Sequence, residues 1–209
     1  MKRLTVPILL ALILLTACSG PASTDTQLVS VYATPAAGPW LSELYDCANT
    51  ASVVLNVTPD SPQILLRVGE PGGLSTPAFQ IDTEEILVVV HRQSPVNNLS
   101  AEQVRALFGG QGDPSLQIWV YSQGDDIQKI FEQSVMQSRN ITSTARVAVD
   151  PQQMSDLLNA EINAVGVLPK HWKMGDTREV FSAGTFPVLA ITPSMPEGIV
   201  QELIACLQK

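Results

Sequence analysis

The run Ser122-Gln123-Gly124-Asp125-Asp126 is the stretch of this chain whose residue types and spacing could do chemistry. It lies between an apolar segment, Leu116 to Tyr121, and a segment with Ile127, Ile130, Phe131 and Val135 on one helical face. The first reads as a strand and the second as an amphipathic helix. The start of such a helix offers free N–H groups and the positive end of the helix dipole, which together make a seat for an anion. Here two carboxylates stand at that seat. Asp125 occupies the N-cap position, with Gln128 three residues on to complete a capping box. A ligand-facing Asp125 would instead call for a cationic or polyhydroxyl ligand. The seat either serves a solute or is filled by the protein's own carboxylate.

Other chemistries have less to stand on. Ser122 lacks a Gly-x-Ser-x-Gly context and an evident histidine partner, so nucleophilic catalysis is not supported. His91 and His171 have no Cys or Asp at ligand spacing, so no metal site or cofactor is expected, and no enzyme. Trp40, Trp119 and Trp172 read as packing residues. The 209 residues are 45% apolar and 15% charged, as in a folded globular protein. The formal net charge is −8 and no long basic cluster occurs, which argues against nucleic acid as a partner.

The elements that must position the turn alternate in kind. Leu28 to Ala33, Ser52 to Val57, Gln63 to Val68, Glu85 to His91, Ala164 to Leu168 and Phe186 to Thr192 read as further strands. Helices are expected from Pro39, with Trp40, Leu41, Leu44, Tyr45 and Ala48 on one face, from Ser100, from Asp150-Pro151, and from Pro196. Ser100 and Gln103 form a capping-box pattern, and Gly109-Gly110 ends that helix. Strands alternating with helices argue an α/β fold with mostly parallel sheets.

The N-terminus points out of the cytoplasm. Lys2 and Arg3 precede an apolar run, Leu4 to Leu15, too short for a membrane span of about 20 residues. Leu15-Thr16-Ala17-Cys18 resembles the lipobox of bacterial lipoproteins. That resemblance implies a signal peptide over residues 1–17, a lipid on Cys18, and anchoring on the outer side of a membrane. Loss of Lys2 and Arg3 leaves 10 basic and 20 acidic residues, a net of −10. Residues 18–27 read as a tether. Cys47 and Cys206 remain, both on expected helices. They read either as buried free thiols or as a disulfide, which would close a loop of about 160 residues and add about 5 kcal/mol in the chain-entropy model.

Several segments together resemble the phosphate-type periplasmic solute-binding proteins. "TEEILVVVHRQSPVNNLSAEQVRALFGG" is similar to their crossover strand, turn and short helix. "IWVYSQGDDIQKIFE" is similar to the next strand, turn and helix, and "NAVGVLPKHW" to a following strand. "FPVLAITPSMPEGIVQELIACLQ" is similar to the return strand and closing helix, and "PQILLRVGEP" to the strand that ends at the ligand cleft. The matches run in family order over most of residues 28–208. The resemblance implies two α/β lobes, residues 28–90 with 185–209 and residues 91–184, with a short first lobe and a solute held between them. It also implies an ABC transporter permease as partner and a small solute, by analogy an oxyanion.

By position, the family's donors fall on Thr34 and Ala36, on Gly69 and Glu70, and on Ser122, Gln123, Gly124 and Asp125. Phosphate-binding members carry an arginine and a Gly-Ser-Gly-Thr-like run at the last place, and this chain does not. A carboxylate about 4 Å from a phosphate, at an effective dielectric near 20, costs about 4 kcal/mol, close to a thousandfold in affinity. The expectation is a seat filled by the protein's own carboxylate. A solute-binding lipoprotein is the leading reading. A structural or regulatory lipoprotein without a small ligand is the alternative.

Overall fold

The computed structural model describes residues 27–137 and 139–209. The expected leader, Cys18 and all of the expected tether but Gln27 lie outside the described residues.

Among the described residues eight strands form one mixed sheet: β1 (Leu28–Ala33), β2 (Val54–Val57), β3 (Ile64–Val68), β4 (Ala78–His91), β5 (Gln117–Val120), β6 (Arg146–Val147), β7 (Ala164–Pro169) and β8 (Thr177–Ile191). Their spatial order is β2-β1-β3-β8-β4-β7-β5-β6. Pairings within β2-β1-β3 and within β7-β5-β6 are parallel, and those made by β4 and β8 are antiparallel. The order divides the molecule into two lobes. β3 pairs with the end of β8 (Val188 to Ile191), and β7 pairs with the end of β4 (Ile86 to Val90). Between those ends β4 and β8 pair only with each other, so two long strands carry the chain across the seam.

Among the described residues five helices cover the sheet: α1 (Gly38–Thr50), α2 (Ala101–Ala106), α3 (Asp126–Phe131), α4 (Pro151–Ala160) and α5 (Gly198–Leu207). α3 runs on into a π-helical segment, Glu132–Met136. Local signals account for several of their starts. Ser100 and Gln103 make both bonds of the capping box. Asp150 accepts from the Gln153 N–H at 2.7 Å, with Pro151 at the first helical position. The last helix begins at Gly198 rather than at Pro196. The buried faces are the apolar ones: Trp40, Leu44 and Ala48 on α1, Ile127, Ile130 and Phe131 on α3, Met154 and Leu158 on α4. Gly166 lets α4 lie close on β7, since a Cβ there would stand 2.5 Å from the Met154 sulfur. Cys47 of α1 and Cys206 of α5 form a disulfide, with a Cα–Cα distance of 6.0 Å.

Two strands are longer than their apolar cores. β4 starts at Ala78 and β8 at Thr177, so "AFQIDTE" and "TREVFSAGT" are also extended. These polar stretches are held as strands because each pairs with the apolar half of the other strand, Ala78 to Glu84 opposite Ile191 to Phe186 and Thr177 to Thr185 opposite His91 to Glu85.

Candidate functional site

The C-terminal ends of parallel strands are where an open α/β sheet leaves room for a ligand. β1 ends at Ala33, β3 at Val68 and β5 at Val120, and the turn after β5 leads into α3. These ends meet across the seam on one side chain. Asp126, the first residue of α3, is 3% exposed. The Thr34 hydroxyl donates to its Oδ2 at 2.6 Å. The Val68 N–H donates to the same oxygen at 3.1 Å. Its Oδ1 accepts from the Ile127 N–H at 3.0 Å. Desolvating a carboxylate costs several kcal/mol, and charge-assisted bonds of about 1.5–3 kcal/mol each offset it. Among the described residues no Lys, Arg or His side chain bonds Asp126. The charge is met by dipoles alone.

Asp125 is the helix cap. Its Oδ1 accepts from the N–H groups of Ile127 (2.8 Å) and Gln128 (3.4 Å). The capping box is left open, because the Gln128 side chain turns back to accept from the Tyr121 N–H at 3.0 Å. Burial, and then the charge of Asp126, push the Asp125 carboxyl up to about 6, against the pull of those two N–H bonds. The Tyr121 hydroxyl is raised well above its usual range by burial and by Asp125, Asp150 and Asp126 around it.

The other expected residues are scattered. The backbone of Gly69 stands against α3: a Cβ there would lie 2.7 Å from Ile130 Cδ1, and its φ is +74°. Glu70 and Gly124 are exposed. Ser122 and Gln123 line a cavity of about 710 Å³ whose walls all come from residues 120–147, so they do not share a site with Thr34. Ala36 is buried, and its carbonyl accepts from the Trp172 indole N–H at 3.1 Å. That bond belongs to a second crossing of the seam. The turn Lys170–Trp172 after β7 reaches α1, where Trp172 covers Gly38 and the His171 ring packs edge-on to Trp40 at 4.8 Å. His171 also bonds the buried Glu84 of β4 through its Nδ1 and its backbone N–H. Burial raises the Glu84 carboxyl, and the charge and bonds of His171 pull it back.

Of the eight positions, Thr34 donates to the carboxylate at the focus of the seam and Asp125 shares the Ile127 N–H with it. Asp126 and the Val68 N–H, the other members, were not among them. Among the described residues no group of three His, Cys, Asp or Glu could hold a metal, and no helix is long and apolar enough to cross a membrane.

Similarity to solved structures decides the architecture. A phosphate ABC transporter substrate-binding protein from Clostridium perfringens, with bound phosphate, superposes with a TM-score of 0.77 at 13% identity, over 87% of this chain and 93% of that one. The fold is the periplasmic-binding-protein fold. An ABC-type phosphate transport receptor from Vibrio cholerae shares it, with a TM-score of 0.65 at 16% identity, over 87% of this chain and 93% of that one. So does the CcmR regulatory domain from Synechocystis in complex with 2-PG, with a TM-score of 0.67 at 11% identity, over 88% and 96%. No protein-family model and no curated protein sequence matches the chain. The periplasmic-binding-protein fold therefore hosts both transport receptors and regulatory domains, and what this chain does must be argued from its own seam.

Proposed function

We propose that the chain is an extracytoplasmic, lipid-anchored binding protein that takes a small anionic solute between its lobes for an ABC transporter permease. One observation carries this reading. The Thr34 hydroxyl, the Val68 N–H and the start of α3 converge on a single carboxylate at the seam. Two strand ends and a helix start thus present donors to a group with the charge and size of a small oxyanion head. The Lys2-Arg3 leader and the Cys18 motif support the location. The Cys47–Cys206 disulfide favours an oxidising compartment. The phosphate held by the Clostridium perfringens protein supports an oxyanion as the class to test first.

Calorimetry and melting curves with phosphate, sulfate, molybdate, acetate, amino acids and polyamines test the reading. A solute at a hundred times its dissociation constant should add about 2.7 kcal/mol and raise the melting temperature by several degrees. No response to any of them rejects it.

The same contact favours a second reading. The converging donors are already matched to Asp126, and among the described residues no side-chain cation adds to them. A binding fold with its seat so filled would serve as a structural or regulatory lipoprotein. That reading expects no melting shift with any small solute and a partner that recognises the surface instead.

A further inference from the structure

The backbone of Asp126 belongs to the second lobe, and both donors to its Oδ2 belong to the first: Thr34 follows β1 and Val68 ends β3. The approach around it is close, since the backbone of Gly69 leaves no room for a Cβ against Ile130. Neither donor has another acceptor among the described residues, and the hydroxyl and amide would lose their partner if the lobes separated. On separation water would replace the carboxylate at both donors, so the lobes gain the net worth of two charge-assisted hydrogen bonds, larger than that of neutral ones, by staying together around this charge.

We propose that Asp126 is a latch: its carboxylate holds the two lobes together and occupies the first-lobe donors that an external anion would need. Asp is the right length for this role, because its oxygens reach across while its own helix start still supplies the Ile127 N–H. An anion entering the seam must displace the side chain and leave it charged beside the newcomer. The latch then sets a threshold. The apparent affinity for any solute is the intrinsic one reduced by the fraction of molecules that are unlatched. This last consequence rests on the solute-binding reading above, and the latch itself does not.

Hydrogen exchange and X-ray scattering on the full chain test it with Asp126→Ala and Asp126→Asn. Asp126→Ala is expected to speed exchange of the Val68 amide at least tenfold and to enlarge the radius of gyration. The amides of Val88 and Val89, deep in β4, should stay protected and show that the fold is intact. Unchanged Val68 exchange with an unchanged radius overturns the latch. If Asp126→Ala does not fold, Asp126→Asn takes its place. It keeps one acceptor oxygen but no charge, so faster Val68 exchange supports the latch and parental exchange overturns it. Phosphate and acetate titrations of the same proteins separate the latch from the solute reading. Faster Val68 exchange with no binding by either protein keeps the latch and rejects solute capture. Tight binding by the parent with unchanged exchange in the variant rejects the latch and keeps solute capture. Binding at least tenfold tighter in the variant supports both.

Discussion

Two buried carboxylates cross the seam of this molecule, and each is kept by different means. Glu84, 0% exposed, is matched by the His171 ring and backbone N–H. The side chain of His171 is itself 48% exposed, so this partner can be hydrated and can move. Asp126, 3% exposed, is matched by a hydroxyl and two amides that belong to strand ends and a helix start. Those dipoles are fixed in the lobes that carry them. A carboxylate held by one mobile partner depends on one side chain. A charge balanced by fixed dipoles depends on how two rigid bodies sit together. Damage to the first should cost stability, and damage to the second should cost closure.

The sharpest way to break this contrast is His171→Ala. It leaves Glu84 buried with only the backbone N–H of residue 171, and breaking a buried pair costs about 3–5 kcal/mol, here near the lower end. The melting temperature should fall by roughly 6–12 °C. Glu84→Gln in the same chain should restore most of the loss, because no charge is then left unmatched. A melting point within a degree of the parent's would show that the His171 ring does not carry the pair.

Gly69→Ala should come next. Its φ of +74° disfavours any side chain by about 1–2 kcal/mol, and the new methyl would press on Ile130. Adding Ile130→Val removes the Cδ1 atom in the way, so seam closure should recover while the backbone cost remains. If scattering shows the same radius for Gly69→Ala as for the parent, the lobes are not in tight contact at this point.

Asp125→Asn tests the electrostatics beside the latch. The folded protein holds the Asp125 proton up to about pH 6, above the usual 3.8. The contribution of Asp125 is therefore fully present below about pH 4 and is lost as the pH rises through 6. Asn caps a helix as well as Asp does and adds no charge beside Asp126. Relative to the parent, Asp125→Asn should gain stability as the pH rises from 4 to 7. A difference that does not change with pH would count against the crowding of the two acids. The smallest effect belongs to Lys170→Ala. Its 2.8 Å bridge to Glu85 ends on an exposed ammonium, and the urea midpoint should stay close to the parent's.

Much of the frame is written in local pattern. The capping box at Ser100, the cap at Asp150 and the apolar faces of α3 and α4 follow from spacing alone. The outer halves of β4 and β8 do not, because polar segments such as "AFQIDTE" become strands only through pairing more than 100 residues away in sequence. The seat shows the same division. That a carboxylate fills the turn before Ile127 is legible in Asp125-Asp126. Which of the two caps the helix and which crosses the seam is not, because the partners of Asp126 lie 92 and 58 residues away. One of them is a backbone N–H, which any residue at position 68 could supply. The box pattern pairs Gln128 with Asp125, but its amide oxygen serves the end of β5 at Tyr121.

The most direct test of the account is a double-mutant cycle between Thr34→Val and Asp126→Ala, read by urea unfolding. Two groups 92 residues apart in sequence that share one short bond should show a coupling energy above about 1 kcal/mol. Single effects that add to within about 0.3–0.5 kcal/mol would mean that the Asp126 carboxylate does not join the lobes.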